Sequence, residues 1–248
     1  AGIIALVKHM KEIGETHRLK QVWFNFPKKE ETDEYSVGEG NELTSLLLEI
    51  DGLSWNNNTS ELLGSTIEFG DIKLHVLAPD HDVAYENKPK EPDELGVRSD
   101  DWYIDLRTLI DNVDDDDIDE GGTNSQSIII LAECEGKKLL LPGDSTPKKL
   151  CDALQSYNKT NGTPLELDFM KLPHHGSTRN VTKNILNEVT CSNFIISTKK
   201  NNKYYFPNKE TIAKLIRYRD SADTVGKHLL PPPCGDRKDS FLLLKAHV

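Results

Sequence analysis

The sequence predicts an α/β protein, an αββα sandwich of two mixed sheets that are covered by helices. Hairpin patterns of short strands dominate the first half of the chain, whereas strand and helix patterns alternate in the second half. The 248 residues contain 36% hydrophobic residues, which is enough for a packed core. Because neither a repeat nor a low-complexity linker divides the chain, we expect one domain over residues 1–248.

The first half of the chain is predicted to open on a helix and to contain two hairpins. Apolar residues recur at helical spacing over residues 2–13, which predicts a helix. The short apolar run at 21–26 predicts a strand. Asn41 is a candidate N-cap for a second helix. Turn residues between apolar runs predict hairpins within residues 65–78 and 127–141.

The second half alternates between the two element types. Thr146 and Pro147 are typical of a helix start, an N-cap followed by a proline in the first turn. Apolar runs and helical spacing then predict a strand that ends at Leu172, a helix near 180–189, a strand at 194–197, a helix after Asn208 and a strand at 241–244.

The chain is acidic, with a net charge of −11 from 30 basic and 41 acidic residues. This balance argues against a broad basic face for duplex nucleic acid, although a local basic groove stays open. The acidic segment, residues 114–120, lacks the spacing of an EF-hand and is expected to be a solvated loop. It belongs to a long polar stretch, residues 79–122, which we interpret as a long loop or insertion and a candidate surface for a protein partner.

The cysteines and the hydropathy pattern favour a cytoplasmic protein. Cys134, Cys151, Cys191 and Cys234 are widely spaced and form no C-x-x-C pair, so we expect reduced thiols. No stretch is long and apolar enough to span a membrane, and no signal peptide is visible. The first helix has no N-cap before it, so a beginning further upstream stays open.

Two predicted strands end in side chains that can bind a metal. The run 139–141 is followed by Pro-Gly-Asp144, and the run 167–172 is followed by Pro-His174-His175-Gly-Ser. A carboxylate and two imidazoles at strand ends indicate half of a metal site. The alternative is a polar turn in which one histidine caps a helix.

These two motifs, in this order and at this distance, resemble the metallo-β-lactamase superfamily. Within it, the sequence is most similar to the nuclease-type domain of ComEC-like competence proteins, over residues 65–248 and in the opening helix. Four further features carry the resemblance: Leu77-Ala78-Pro79, Asn124-x-x-Ser127, Ile195-Ile196-Ser197 and Asn202-Lys203-Tyr204-x-x-Pro207.

The resemblance implies a dinuclear site for two divalent ions, zinc or manganese. Asp144 matches the carboxylate that bridges the two ions, and His175 matches a terminal ligand. His174 matches a neighbouring catalytic histidine that contacts the substrate phosphate or donates a proton. The implied reaction is a hydrolysis in which a metal-bridging hydroxide attacks phosphorus or a carbonyl carbon.

Three residues near these motifs are candidates for substrate binding. Ser177 can hydrogen-bond a ligand, and its alternative role is to cap a helix near Asn180. Lys203 can hold a phosphate and Tyr204 can stack a base, while an ordinary exposed loop explains this pair equally well.

Two departures from the family pattern bear on these expectations. The main ligand motif of the family, His-x-His-x-Asp-His, is absent, and Ala1-Gly2-Ile3-Ile4-Ala5-Leu6 resembles the sequence that follows it in relatives. The chain therefore lacks the first strands and the ligand loop of the implied fold, and we expect the motif directly before Ala1 in the encoded protein. Phe206 also stands where that branch often has a histidine before Pro207.

The favoured hypothesis is a metal-dependent phosphodiesterase or nuclease that acts on a nucleic acid or a nucleotide. A hydrolase of the same fold that acts on an ester or a lactam is one alternative. A catalytically degenerate scaffold that binds a partner protein is another, and the absent motif is its main support.

Overall fold

The computed structural model describes residues 2–25, 35–80, 100–121, 124–162, 164–198, 205–219 and 240–245. Its contacts divide the chain into two compact units. The first comprises Ala1–Leu62 with Asp80–Lys88, and the second comprises Leu63–Pro79 with Pro89–Val248. That the whole chain forms one domain stays a prediction.

The first unit pairs two helices with a small parallel sheet. Its elements are α1 (Gly2–Glu12), β1 (Gln21–Trp23), α2 (Tyr35–Leu48) and β2 (Ser54–Asn56). Ile4, Val7, Leu43, Leu47 and Ile50 form its core. The opening helix is confirmed. The expected N-cap at Asn41 is wrong, because the backbone is already helical from residue 35 and a cap requires a non-helical residue.

The second unit contains a seven-stranded sheet in the order β11-β10-β8-β6-β5-β4-β3. These strands are β3 (Thr66–Phe69), β4 (Ile72–Ala78), β5 (Ile129–Cys134), β6 (Lys137–Leu141), β8 (Phe169–Lys171), β10 (Asn193–Thr198) and β11 (Ser240–Lys245). Both predicted hairpins are confirmed as antiparallel pairs. The pairs β6–β8 and β8–β10 are parallel, while β10–β11 is antiparallel. A separate parallel pair joins β7 (Leu165–Leu167) to β9 (Val189–Cys191).

Helices cover one face of the large sheet. They are α4 (Pro147–Asn161), α5 (Lys183–Asn187) and α6 (Lys209–Arg219), and a short helix, α3 (Leu106–Asp111), precedes them. Their apolar side chains pack against alternate strand residues such as Leu131, Leu140 and Phe194, all fully buried. Alternate burial follows from the two-residue period of a strand.

The described elements therefore confirm a mixed α/β class. Helices α4 to α6 each bury one side against the sheet, as predicted from their spacing. Within the described residues, no helix is both long and apolar enough to cross a membrane. Cys134, Cys151 and Cys191 are free thiols, and Cys234 lies outside the described residues.

Candidate functional site

The candidate site lies at the carboxyl edge of three neighbouring parallel strands. Asp144 follows β6, His174 and His175 follow β8, and Ser197 is near the end of β10. Because parallel strands present their carboxyl ends at the same edge, loops that are distant in sequence meet there. The topology therefore brings the aspartate and the histidines together.

Backbone and side-chain hydrogen bonds hold the two loops against each other. The amide of His174 donates to the carbonyl oxygen of Gly143 at 3.2 Å, and the amide of Asp144 donates to Oγ of Ser127 at 3.2 Å. Nζ of Lys171 donates to the carbonyl oxygens of Gly143 and Leu172 at 3.4 and 3.2 Å. Burial lowers the pKa of Lys171, although the nearby charge of Asp144 opposes this shift.

The His-His turn, Pro173–Gly176, has an unusual backbone. His174 has φ 43° and His175 has φ 57°, and Gly176 follows with φ 83°. Left-handed backbone in two consecutive residues with a Cβ costs roughly 1–3 kcal/mol each, and such strain persists where the surroundings enforce it. The strained conformation directs the two imidazoles to different partners.

His175 presents its Nε2 atom toward Asp144. Its Nδ1 lies 2.8 Å from the carbonyl oxygen of Ser197, which can only accept a hydrogen bond, so Nδ1 carries the proton. Nε2 is therefore the nitrogen that carries the lone pair when the ring is neutral, and it lies 3.8 Å from Oδ2 of Asp144. The side chains of His175 and Asp144 are 45% and 42% exposed, so an ion from solvent can reach both.

The chemistry of this pair fits a divalent cation. Two ligands of one tetrahedral zinc are about 3.3 Å apart, so rotation of the half-exposed carboxylate can close the observed separation. Metal-binding histidines usually donate a hydrogen bond from their other ring nitrogen to a carbonyl or carboxylate, as Nδ1 of His175 does to Ser197. Among the described residues, no cluster of three or more His, Cys, Asp or Glu side chains could hold a metal. Asp144 and His175 are two candidate ligands, which is fewer than a dinuclear site requires.

His174 is held by a different set of partners. Its Nδ1 lies 3.1 Å from Oδ1 of Asn180 and 3.5 Å from Oδ2 of Asp119. Burial by itself lowers the pKa of His174, but the hydrogen bond to Asp119 and the charge of Asp144 outweigh it, so the pKa is raised. The Phe206 ring packs edge-on to His174 and stacks on His175, with centroids 5.3 and 6.4 Å away. The aromatic ring forms one wall of the site.

Asp119 is a buried carboxylate that the sequence analysis did not single out. Its side chain is 3% exposed and accepts hydrogen bonds from Asn124, Asn180 and the amide of Gly121. Burial raises the pKa of Asp119, and the hydrogen bonds from His174, Asn180 and Asn124 more than offset this, so the pKa lies well below its ordinary range. Asp119 is therefore ionised in the folded protein.

The acidic segment, residues 114–120, is only in part the solvated loop that we expected: Asp114, Asp116 and Glu120 are exposed, whereas Asp119 is buried. Asp117 accepts a hydrogen bond from Nε of Arg179 at 2.8 Å, and the amide of Asp119 donates to the carbonyl oxygen of Arg179 at 3.0 Å. Asp115 pairs with the buried Nζ of Lys214 at 2.9 Å. The buried contacts were not expected because these cations come from residues far along the chain, which a local run of like charges does not indicate.

The remaining predicted site residues are only partly placed. Ser177 is buried, 4% exposed, and its amide donates to the carbonyl oxygen of His174 at 2.9 Å, so its main visible role is to close the His-His turn. Lys203 and Tyr204 lie outside the described residues. Substrate binding by these three residues stays a prediction.

Asp119 and Asn180 are the site residues that sequence reasoning missed. Asp119 was treated as one more charge of a solvated run, and Asn180 only as a position near a helix start. The sequence carries no local signal for either residue, because the hydrogen bond that joins them links positions 61 residues apart.

Comparison with known proteins gives limited information. No protein-family model matches this sequence. The chain is 29% identical over 100 residues to Recombination protein 2 of Haemophilus influenzae. The aligned part is 40% of this chain and spans 12% of that protein's length.

Proposed function

We propose that this chain is part of a metal-dependent phosphodiesterase of the metallo-β-lactamase fold. The observation that carries the proposal is the pairing of His175 Nε2 with Asp144 Oδ2 at 3.8 Å, on a solvent-accessible edge. Because Nδ1 of His175 donates to the carbonyl oxygen of Ser197, Nε2 is the nitrogen that would bind the metal. Recombination rearranges nucleic-acid strands, so the name of the Haemophilus relative favours a phosphodiester substrate over a lactam.

The proposed fold is supported by the second face of the large sheet. Ile130, Leu139, Leu141 and Ile195 alternate with the fully buried residues and are themselves half-buried. An apolar second face needs a further layer, as in a sandwich of two sheets. The predicted αββα arrangement would provide such a layer.

Asp144 and His175 would hold the metal, and His174 would face the substrate. Bound divalent ions would supply a water nucleophile that is active near neutral pH. The chain's own contribution is positional, because Ser197 orients His175 and the strand-end hydrogen bonds orient Asp144. His174 Nε2 is available to contact the phosphate or to protonate the leaving oxygen.

Metal content and turnover of the full-length encoded protein test the proposal. We expect bound zinc or manganese and chelator-sensitive cleavage of bis(4-nitrophenyl) phosphate. Asp144→Ala and His175→Ala should lower both metal stoichiometry and kcat/KM. We expect kcat/KM to fall by more than about 100-fold, because loss of a residue that merely hydrogen-bonds a metal ligand typically costs 10–100-fold in metal affinity or activity. Asp152→Ala, which removes an exposed carboxylate of α4, is the control.

Unchanged metal content and turnover in Asp144→Ala would remove the role proposed for this residue. A wild-type protein that binds no metal and cleaves no ester would instead favour the scaffold. The observation behind that second candidate is the small number of metal ligands among the described residues.

A further inference from the structure

The amide of Asn180 has only one orientation that satisfies its surroundings. The side chain is fully buried, and its Nδ2 donates to Oδ2 of Asp119 at 2.8 Å and to the carbonyl oxygen of Ser145 at 3.1 Å. Both partners only accept hydrogen bonds, so Oδ1 must be the atom that faces His174.

This orientation fixes the proton of His174. Nδ1 of His174 has two neighbours, Oδ1 of Asn180 and the Asp119 carboxylate, and each can only accept. Nδ1 therefore carries a hydrogen, and Nε2 is the atom left for chemistry. The histidine side chain is 17% exposed, so its free edge reaches solvent while the opposite edge is held inside the protein.

Asp119 is the anchor of this arrangement. A buried carboxylate is costly unless charge and hydrogen bonds compensate it, and here Gly121, Asn124 and Asn180 provide three donors at 2.7–2.8 Å. The peptide group between Ile118 and Asp119 is held at both of its polar atoms, since the guanidinium of Arg179 donates to the carbonyl oxygen of Ile118 and the carbonyl oxygen of Arg179 accepts from the amide of Asp119. The carboxylate cannot move away without breaking these contacts.

We propose that Asp119, together with Asn180, is a positioning residue that aims Nε2 of His174 at the leaving oxygen of the substrate. The proposal rests on the proposed function. In the step, a water oxygen forms a bond to phosphorus and releases one proton to solvent. His174 enters the step with a hydrogen on each ring nitrogen. The ester P–O bond breaks with its electron pair on the leaving oxygen, which takes the proton of His174 Nε2, while the hydrogen on Nδ1 stays in place. Nε2 regains a proton from solvent before the next turnover.

A comparison of leaving groups tests the role of Asp119 in this step. The substrates are the 4-nitrophenyl and phenyl esters of thymidine 5′-phosphate, which differ only in how much the leaving oxygen needs a proton. Asp119→Asn keeps the shape of the side chain but removes its charge. We expect kcat for the phenyl ester to fall by about 100-fold, within the range of general acid catalysis, and kcat for the nitrophenyl ester to change by less than about threefold.

Asp116→Asn is the matched control. Asp116 belongs to the same acidic segment, and its side chain is exposed. This substitution should leave the ratio of the two kcat values unchanged. Equal losses on both esters in Asp119→Asn, or the same change of ratio in Asp116→Asn, would show a general structural role and overturn the proposal.

A second measurement needs neither activity nor a buried substitution. In ¹H–¹⁵N spectra of imidazole groups of the wild-type protein, His174 should show a protonated Nδ1 that exchanges slowly with solvent, identified by its disappearance in His174→Gln. An unprotonated Nδ1 overturns the proposed positioning. If neither ester is cleaved by the wild-type protein but the protonated Nδ1 is present, the proposed function fails and the geometry of the network stands.

Discussion

At the scale of single residues, the most constrained position of the site is Gly176. A Cβ atom added there would lie 2.9 Å from Cβ of Pro207, and the residue has φ 83°. Its carbonyl oxygen accepts hydrogen bonds from the amide of Asn208 and from Oγ1 of Thr211. The His-His turn can lie against the start of α6 only because this residue has no side chain.

We predict that Gly176→Ala destabilises the protein by about 2–5 kcal/mol. About 1–2 kcal/mol comes from the left-handed backbone and about 1–3 kcal/mol from the steric overlap. Gly136→Ala is the control, because Gly136 has φ 73° and nothing within 4 Å of the added Cβ. Urea unfolding measures both variants. Equal losses would mean that the contact with Pro207 is unimportant.

At the scale of elements, α6 is hydrogen-bonded to the segment 79–122, which the sequence predicts to be a long loop. The carboxylate of Asp101 accepts hydrogen bonds from the amides of Lys209 and Glu210 at the start of the helix. In its middle, Nζ of the fully buried Lys214 donates to the carbonyl oxygens of Thr178 and Val181 and pairs with Asp115. One ammonium thus joins α6, the acidic segment and the chain just after the His-His turn.

We predict that Lys214→Met lowers the free energy of unfolding by about 3–5 kcal/mol, because it removes the cation paired with the Asp115 carboxylate and the donor to two buried carbonyls. Lys148→Met is the control, since Lys148 forms an exposed ion pair with Asp152 one helical turn away. That substitution should cost less than about 0.5 kcal/mol. Chemical denaturation measures the free energy of unfolding of both variants. Similar losses of stability in the two would contradict a structural role for the buried ammonium.

At the scale of the whole molecule, the net charge of −11 makes stability depend on pH. Acid relieves general repulsion, but it also protonates carboxylates that the fold needs as anions. Asp115 and Asp119 both have lowered pKa values: burial opposes the shift, and hydrogen bonds outweigh it. A carboxylate with a lowered pKa stabilises the fold above its unfolded-state pKa, near 3.9, and this contribution is lost as the pH falls through the folded value.

We predict that the wild-type protein loses more stability between pH 6 and pH 3 than Asp119→Asn does. The difference should be about 1 kcal/mol, since each pH unit between the unfolded and folded pKa values costs about 1.4 kcal/mol per carboxylate. Urea unfolding at the two pH values measures it. Parallel pH dependences of the two proteins would contradict the inferred ionisation of Asp119.

The sequence by itself determined the strands of the large sheet, its hairpins and the two strand ends that carry Asp144 and His175, but not the short strands β2, β7 and β9. Apolar periodicity and turn chemistry act over a few residues, so they can be recognised without the fold. The network around Asp119 and the salt bridge of Lys214 were decided only by the tertiary structure. Their partners lie far apart in the chain, and the order of the parallel strands determines which of these distant side chains meet.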